Sequence, residues 1–134
     1  MNSKMKKLKV LCICAKGKNR SRYLAKYLKG KGYTTRFGGI DGGGDFVEKI
    51  EKEITVEDVN WADIVVIVRK RLVDIFNKKF GKVGKKIIAL DVTDSRRLIP
   101  EEFAHLKDLD HTEFQKKWTY PQLRKAIKPY LPLK

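Results

Sequence analysis

The stretch VLCICAKGKNRSRYLAKYL, Val10 to Leu28, changes its hydrophobic period in the middle. Leu8 to Cys14 is apolar apart from Lys9, a run of strand length and of the kind buried on both faces of a parallel sheet. From Arg20 to Lys31 the period becomes helical. Ser21, Leu24, Ala25 and Leu28 share one face, Arg22, Lys26 and Lys29 the other, and Gly30 and Gly32 end the helix. Between the two runs lie Ala15 to Asn19, a short loop containing Gly17. Strand, glycine-bearing loop and amphipathic helix together open an α/β chain.

Outward from this unit the same alternation continues. Tyr33 to Phe37 is a second strand, followed by GGIDGGGD (38–45), read as a flexible connector or as a run of close backbone approaches. Phe46 to Glu53 and Thr55 to Trp61 read as helices, the latter with Thr55 as N-cap and Glu57 and Asp58 in its first turn. Ala62 to Val68 is a β-branched central strand, Arg71 to Phe80 a helix ended by Gly81, and Lys85 to Val92 a fourth strand. Two helices complete the chain, Pro100 to Leu109 and Thr112 to Ile127, the second capped by Thr112 and followed by Pro129. This order predicts an α/β fold in three layers, with a four-stranded, mainly parallel sheet.

A length of 134 residues with 42% hydrophobic content suits a single domain over 1–134. The net charge is +15, and residues 1–40 contain twelve basic and no acidic side chains. Such a field draws phosphates, nucleic acid or acidic protein towards the N-terminal part of the fold. Cys12 and Cys14 lie too close in sequence for an unstrained bridge, and free thiols suit a cytoplasmic location. No apolar run reaches the length of a membrane span, so no membrane partner is expected.

The chemistry concentrates in the first loop. In open parallel sheets ligands bind beyond the carboxyl ends of the strands, and the amides of a strand-to-helix loop converge on anions. Ala15, Lys16, Gly17, Lys18, Asn19 and Arg20 form the candidate phosphate-binding set, with Gly17 allowing the backbone to curl. Cys14, at the end of the strand, is the candidate nucleophile, because loop amides, a helix N-terminus and Arg20 favour a thiolate there. Arg20, five residues on, can hold two phosphate oxygens with its planar fork. Ser21 can hydrogen-bond the sulfur and stabilise it as a leaving group. Cys12 shares the strand face of Cys14 and reads as core, the alternative being a redox role as its disulfide partner after some distortion.

Two other anion or metal chemistries fail on spacing. The nucleotide-binding pattern G-x-x-x-x-G-K-[ST] is not met, since Cys12 stands where its first glycine belongs and Asn19 follows Lys18. The zinc ligands on offer are Cys12, Cys14, His105 and His111, which form no closed set. HLKDLDH (105–111) reads as a polar helix end, and no metal or cofactor is expected.

Cys-x5-Arg-Ser at the end of a first apolar strand resembles the phosphate loop of the low-molecular-weight protein tyrosine phosphatase superfamily. The likeness in element order extends over Lys7 to Thr93, and WADIVVIV (61–68) is similar to a strand of that family. The resemblance implies the phosphotyrosine phosphatase I-like fold and hydrolysis of a phosphorylated protein or small phosphomonoester through a phosphocysteine. It also implies an aspartic acid on the loop after the fourth strand. In LDVTDSRR (90–97) Asp94 is the preferred acid and Asp91 the alternative. The loop departs from the family's usual form: no Asp-Pro-aromatic motif is present, and Arg22 replaces the proline that commonly follows Arg-Ser. In this respect NRS is similar to the predicted tyrosine phosphatase branch and to the phosphatase of the RNA polymerase II tail, which brings phosphoserine into question beside phosphotyrosine. Arsenate reduction on the same scaffold would need further cysteines. The alternative from another class is a non-catalytic phosphate, polyanion or nucleic-acid binder that uses the same basic cradle.

Overall fold

The computed structural model describes residues 7–17, 19–41, 52–93 and 99–133. Four strands, β1 (Lys9–Cys14), β2 (Thr34–Gly39), β3 (Ile64–Ile67) and β4 (Lys86–Ala89), form one sheet in the order β2-β1-β3-β4. Every pairing in it is parallel. Val10 faces Thr35 on one side and Ile64 on the other, which makes β1 an interior strand. Because consecutive parallel strands must be joined by crossovers, α1 (Arg20–Gly30), α2 (Val56–Trp61) and α3 (Arg71–Phe80) lie between them.

The two-residue period of the strands sorts the core into two halves. Val10, Cys12, Cys14 and Val66 pack with Leu24 and Leu28 of α1 and with Leu123 and Ile127 of the C-terminal helix. Leu11, Ile13, Val65 and Ile67 pack on the opposite face with Val59 of α2 and Leu72 and Phe76 of α3. Helices thus cover both faces and the sheet is the middle of three layers. Fully buried leucines such as Leu24, Leu28 and Leu123 each contribute about 1.5–3 kcal/mol of transfer free energy.

Thr55 caps α2 as expected. Its hydroxyl accepts from the Asp58 amide, and the Asp58 carboxylate accepts from the Thr55 amide, a reciprocal capping box. Elsewhere the elements differ from the sequence pattern. β2 runs on through Gly38 and Gly39, so the first two glycines of the glycine-rich segment belong to the sheet. Of the helix expected over Phe46 to Glu53, residues 46–51 fall outside the described residues; Lys52 and Glu53 are not helical but lie along β2, where the Lys52 carbonyl accepts from the Gly39 amide and Glu53 forms a parallel bridge with Gly39. The segment Glu101–Asp108 is a 3-10 helix kinked at Phe103 rather than an α-helix. It buries only Leu106, too narrow an apolar stripe to support an α-helix by packing.

The last helical segment starts one residue earlier than the pattern suggested and is interrupted. Asp110, not Thr112, is the cap, its carboxylate accepting from the Glu113 amide at 2.9 Å. α4 (His111–Phe114) passes through a π-helical turn (Gln115–Thr119) into α5 (Tyr120–Ile127). That turn places Gln115, Trp118 and Thr119 inside, where Gln115 Oε1, Trp118 Nε1 and Thr119 Oγ1 lack hydrogen-bond partners among the described residues. Also among the described residues, no helix is long and apolar enough to cross a membrane.

Candidate active site

β1 ends at Cys14 next to the point where the strand order turns back, since β2 lies on one side of β1 and β3 on the other. This is where open α/β sheets form a crevice. The loop that leaves it folds back over its own cysteine. The Gly17 N–H donates to Cys14 Sγ at 3.1 Å, and Ser21 Oγ, from the first turn of α1, lies 3.0 Å from the same sulfur. Cys14 and Ser21 are both buried, at 2% and 0% exposure. The sulfur is held between an amide that donates to it and a hydroxyl that is able to.

The loop can curl in this way because Gly17 has a φ of 70°, a left-handed conformation in which a side chain is strained. The glycine serves packing as well as curvature. A Cβ on Gly17 would lie 2.5 Å from the Lys52 carbonyl oxygen and 2.8 Å from the Gly39 nitrogen. A Cβ on Gly39 would lie 2.5 Å from each of Ala15 O, Gly17 N and Lys16 C. The phosphate loop therefore rests directly on the backbone at the end of β2. Further bonds close this seam, with Ile40 N donating to Cys14 O, Asp41 N to Ala15 O and Gly39 N to Lys52 O. The Lys16 ammonium reaches the Asp41 carbonyl, and the Asp41 carboxylate pairs with Arg71 of α3 at 2.8 Å.

Arg20 is 7% exposed, and its Nη1 donates to the Val92 carbonyl at 2.8 Å. That bond ties the first turn of α1 to the segment after β4, 72 residues away. Asn19 occupies the N-cap of α1, but its side chain makes no cap bond. Its amide nitrogen instead lies 3.1 Å from His111 Nε2, linking the loop to the start of α4. The first-turn N–H groups of α1 are thus not taken up by their cap side chain, and the positive end of the helix dipole faces the loop.

Cys12 stays in the core with no exposed surface, and burial, followed by the neighbouring Cys14, pushes its thiol well above the ordinary range. Asp91 is on the surface, where its carboxylate accepts from Arg69 Nε at 3.2 Å and from the Lys70 amide at 3.5 Å. It thereby joins the end of β4 to the start of α3. Asp94 and Lys18, together with Arg96 and Arg97, lie outside the described residues. Among the described residues, no three His, Cys, Asp or Glu side chains are grouped as metal ligands.

The structure thus brings Cys14, Gly17 and Ser21 together, with Ala15, Lys16, Asn19 and Arg20 around them. Sequence reading did not anticipate Gly39, Asp41, Val92 or His111 as neighbours of this loop. Only Gly39 carried a signal, as part of a glycine run. Asp41 stands in the same run without a signal of its own, and Val92 and His111 come from distant segments and show no local pattern.

No protein-family model matches the chain, and no curated protein matches it in sequence. Solved structures do match. The low-molecular-weight protein tyrosine phosphatase of Streptococcus pyogenes superposes with a TM-score of 0.60 at 15% identity, covering 92% of this chain and 91% of that one. The tyrosine phosphatase AmsI of Erwinia amylovora gives 0.60 at 14% identity, with 96% and 93% covered. The YwlE arginine phosphatase of Geobacillus stearothermophilus gives 0.54 at 16% identity, with 95% and 97% covered. With superposition extending over nearly the whole length of these proteins, this chain has the low-molecular-weight protein tyrosine phosphatase fold.

Proposed function

We propose that the chain is a cysteine-dependent phosphomonoesterase that acts on phosphorylated protein side chains through a phosphocysteine. The observation that carries this reading is Cys14 Sγ at the end of β1, 3.1 Å from the Gly17 amide and 3.0 Å from Ser21 Oγ. A purely structural cysteine has no need of two donors and a basic loop curled above it. Two of the similar structures are named as tyrosine phosphatases, one of them a protein tyrosine phosphatase, so the substrate class carried over is phosphorylated protein.

In the first step the Cys14 thiolate attacks phosphorus and the bond from phosphorus to the leaving oxygen breaks. Asp94 gives that oxygen a proton. In the second step the Asp94 carboxylate takes a proton from water, the water oxygen bonds to phosphorus, and the thiolate leaves with Ser21 donating to it. The amides of residues 15–20 and the Arg20 guanidinium hold the three equatorial oxygens, where charge is spread in the transition state. Asp94 is assigned as the acid because Asp91 already spends its carboxylate on Arg69 and the Lys70 amide.

Turnover of a small aryl phosphate tests this reading. The wild-type chain is expected to hydrolyse it with a burst of phenol, and Cys14→Ser to show neither burst nor turnover. Hydrolysis no faster than that of Cys14→Ser between about pH 5 and 7, the range in which such acid–base pairs operate, would refute it in favour of a non-catalytic anion binder. Asp94→Asn is expected to slow the burst. Slowing in Asp91→Asn instead would move the acid to Asp91.

A further inference from the structure

A groove of about 620 Å³ starts at Asn19 in the phosphate loop and runs along the outer face of α1. One wall is the i, i+3, i+4 row Asn19, Arg22, Tyr23, Lys26 and Tyr27, and the other is Lys116 and Tyr120. The tyrosines are half-buried, and the three cations are exposed at the rim. Among the described residues, no carboxylate lines the groove. Glu113 pairs with Lys116 at 3.9 Å. Arg124 adds a fourth cation, donating to the Tyr23 hydroxyl at 2.6 Å.

We propose that this groove receives an acidic stretch of the substrate polypeptide next to its phosphorylated residue. The proposal rests on the phosphatase reading above and adds to it a class of substrate. Two observations favour a peptide. The groove begins at Asn19, in the same loop that leaves Cys14, so it adjoins the place where a substrate's phosphoryl group would sit. In addition, the tyrosine rings are used on each other: Tyr23 stacks on Tyr120 with centroids 4.0 Å apart and planes 4° apart, and Tyr27 lies parallel to Tyr23 at 6.2 Å. Lys31 lies over the Tyr27 ring at 5.0 Å. Single-stranded nucleic acid needs open ring faces on which bases stack, and this floor has few to offer. Burial, then Tyr23, raises the Tyr120 phenol against the pull of Arg22, so the floor adds no negative charge to repel a carboxylate.

Helix geometry sets the register. Asn19 to Tyr27 spans eight residues at about 1.5 Å each, roughly 12 Å, which an extended peptide covers in about four residues. Acidic side chains within four positions of the phosphorylated residue should therefore matter, and those eight or more positions away should not.

The test compares kcat/KM of the full chain on a small aryl phosphate and on three phosphotyrosyl peptides: neutral, with three aspartates within four positions, and with the same aspartates beyond eight. The near-acidic peptide is expected to exceed the neutral one by about tenfold at low salt, as a few exposed ion pairs together would give. In the double variant Arg22→Glu/Lys26→Glu that preference should vanish while aryl phosphate turnover stays unchanged. Equal rates on the neutral and near-acidic peptides would overturn the proposal. So would equal rates on the two acidic peptides, which would mean a general field, or a preference that survives in the variant. An oligonucleotide that binds in the groove more tightly than the near-acidic peptide, and loses that binding in the variant, would overturn the choice of a peptide. If aryl phosphate is not turned over at all, the phosphatase reading fails by itself. The groove is then judged by binding of the labelled near-acidic peptide, which Arg22→Glu/Lys26→Glu must weaken for the proposal to stand.

Discussion

Gly39→Ala puts the seam under the phosphate loop to the test, with a methyl group aimed at the loop's backbone. The added Cβ would start 2.5 Å from Ala15 O, Gly17 N and Lys16 C, whereas ordinary contact begins at 3.4 Å. All three atoms are backbone, so no side chain can swing aside, and the loop must lift by about 0.9 Å from β2. Overpacking of this kind costs about 1–3 kcal/mol, equivalent to a fall in Tm of roughly 4–12 °C for a domain of this size. The functional loss should be larger than the loss of stability suggests. A misplacement of about 1 Å in a reacting constellation lowers rates by about a hundredfold, and the Gly17 amide and the sulfur move together with the loop. Aryl phosphate kcat/KM, measured well below the variant's Tm, should therefore fall by about two orders of magnitude, with phosphate inhibition weakened in parallel. Gly30→Ala is the control, because a Cβ there meets nothing within 4 Å. Gly39→Ala with wild-type kcat/KM and wild-type Tm would show that the loop does not rest on β2 as described.

Three other substitutions test separate parts of the molecule. Ser21→Ala removes one of the two donors at Cys14 Sγ, and hydrogen bonds to charged groups contribute about 1.5–3 kcal/mol. Breakdown of the phosphocysteine should slow by about tenfold to a hundredfold, seen as a retained burst with a slower steady state; an unchanged steady state would exclude Ser21 from leaving-group stabilisation. Cys12 should resist iodoacetamide in the native protein while Cys14 reacts, the second equivalent entering only on unfolding. Because burial raises the Cys12 thiol, the stability it confers is complete below the unfolded thiol value of about 8.5 and declines as pH rises beyond it. Cys12→Ala should flatten that alkaline decline in urea unfolding, and an identical slope in both proteins would contradict the assignment. Thr119→Val takes away a buried hydroxyl without a partner among the described residues, so it should be neutral or stabilise by about 1 kcal/mol; a comparable loss would mean that the hydroxyl is bonded after all.

Much of this molecule was legible in short windows, because the forces there are local. An apolar run such as Leu11–Cys14, wedged between a charged N-terminus and a glycine loop, has few alternatives to a buried strand. The i, i+3, i+4 row in α1 can close on only one face. Thr55 and Asp58 satisfy each other's amides within one turn, so their capping box is written into four residues. The same locality explains the errors at the C-terminal end. Thr112 fitted the start of an apolar period, but Asp110, three residues before Glu113, offers the carboxylate that reaches the N3 amide. The segment 101–108 has helix-forming residues and only one buried side chain to support them.

The candidate site divides along the same line. Cys14, Gly17, Arg20 and Ser21 lie within eight residues, so their spacing alone brings a thiol, a curling loop, a guanidinium and a hydroxyl to one strand end. What sequence could not supply are the partners that hold them in place. Gly39 presses on the loop because parallel β2 ends level with β1, Val92 receives Arg20 because β4 ends on the same side of the sheet, and the basic groove exists because α5 packs beside α1. These contacts join residues that are far apart in the chain, and of the partners only Gly39 stands in a recognisable pattern, a glycine run that does not say what it touches. Spacing placed the reactive groups within eight residues of each other, whereas only the closing of a parallel sheet under its two helical layers determined what each of them leans on and which surface continues from the loop.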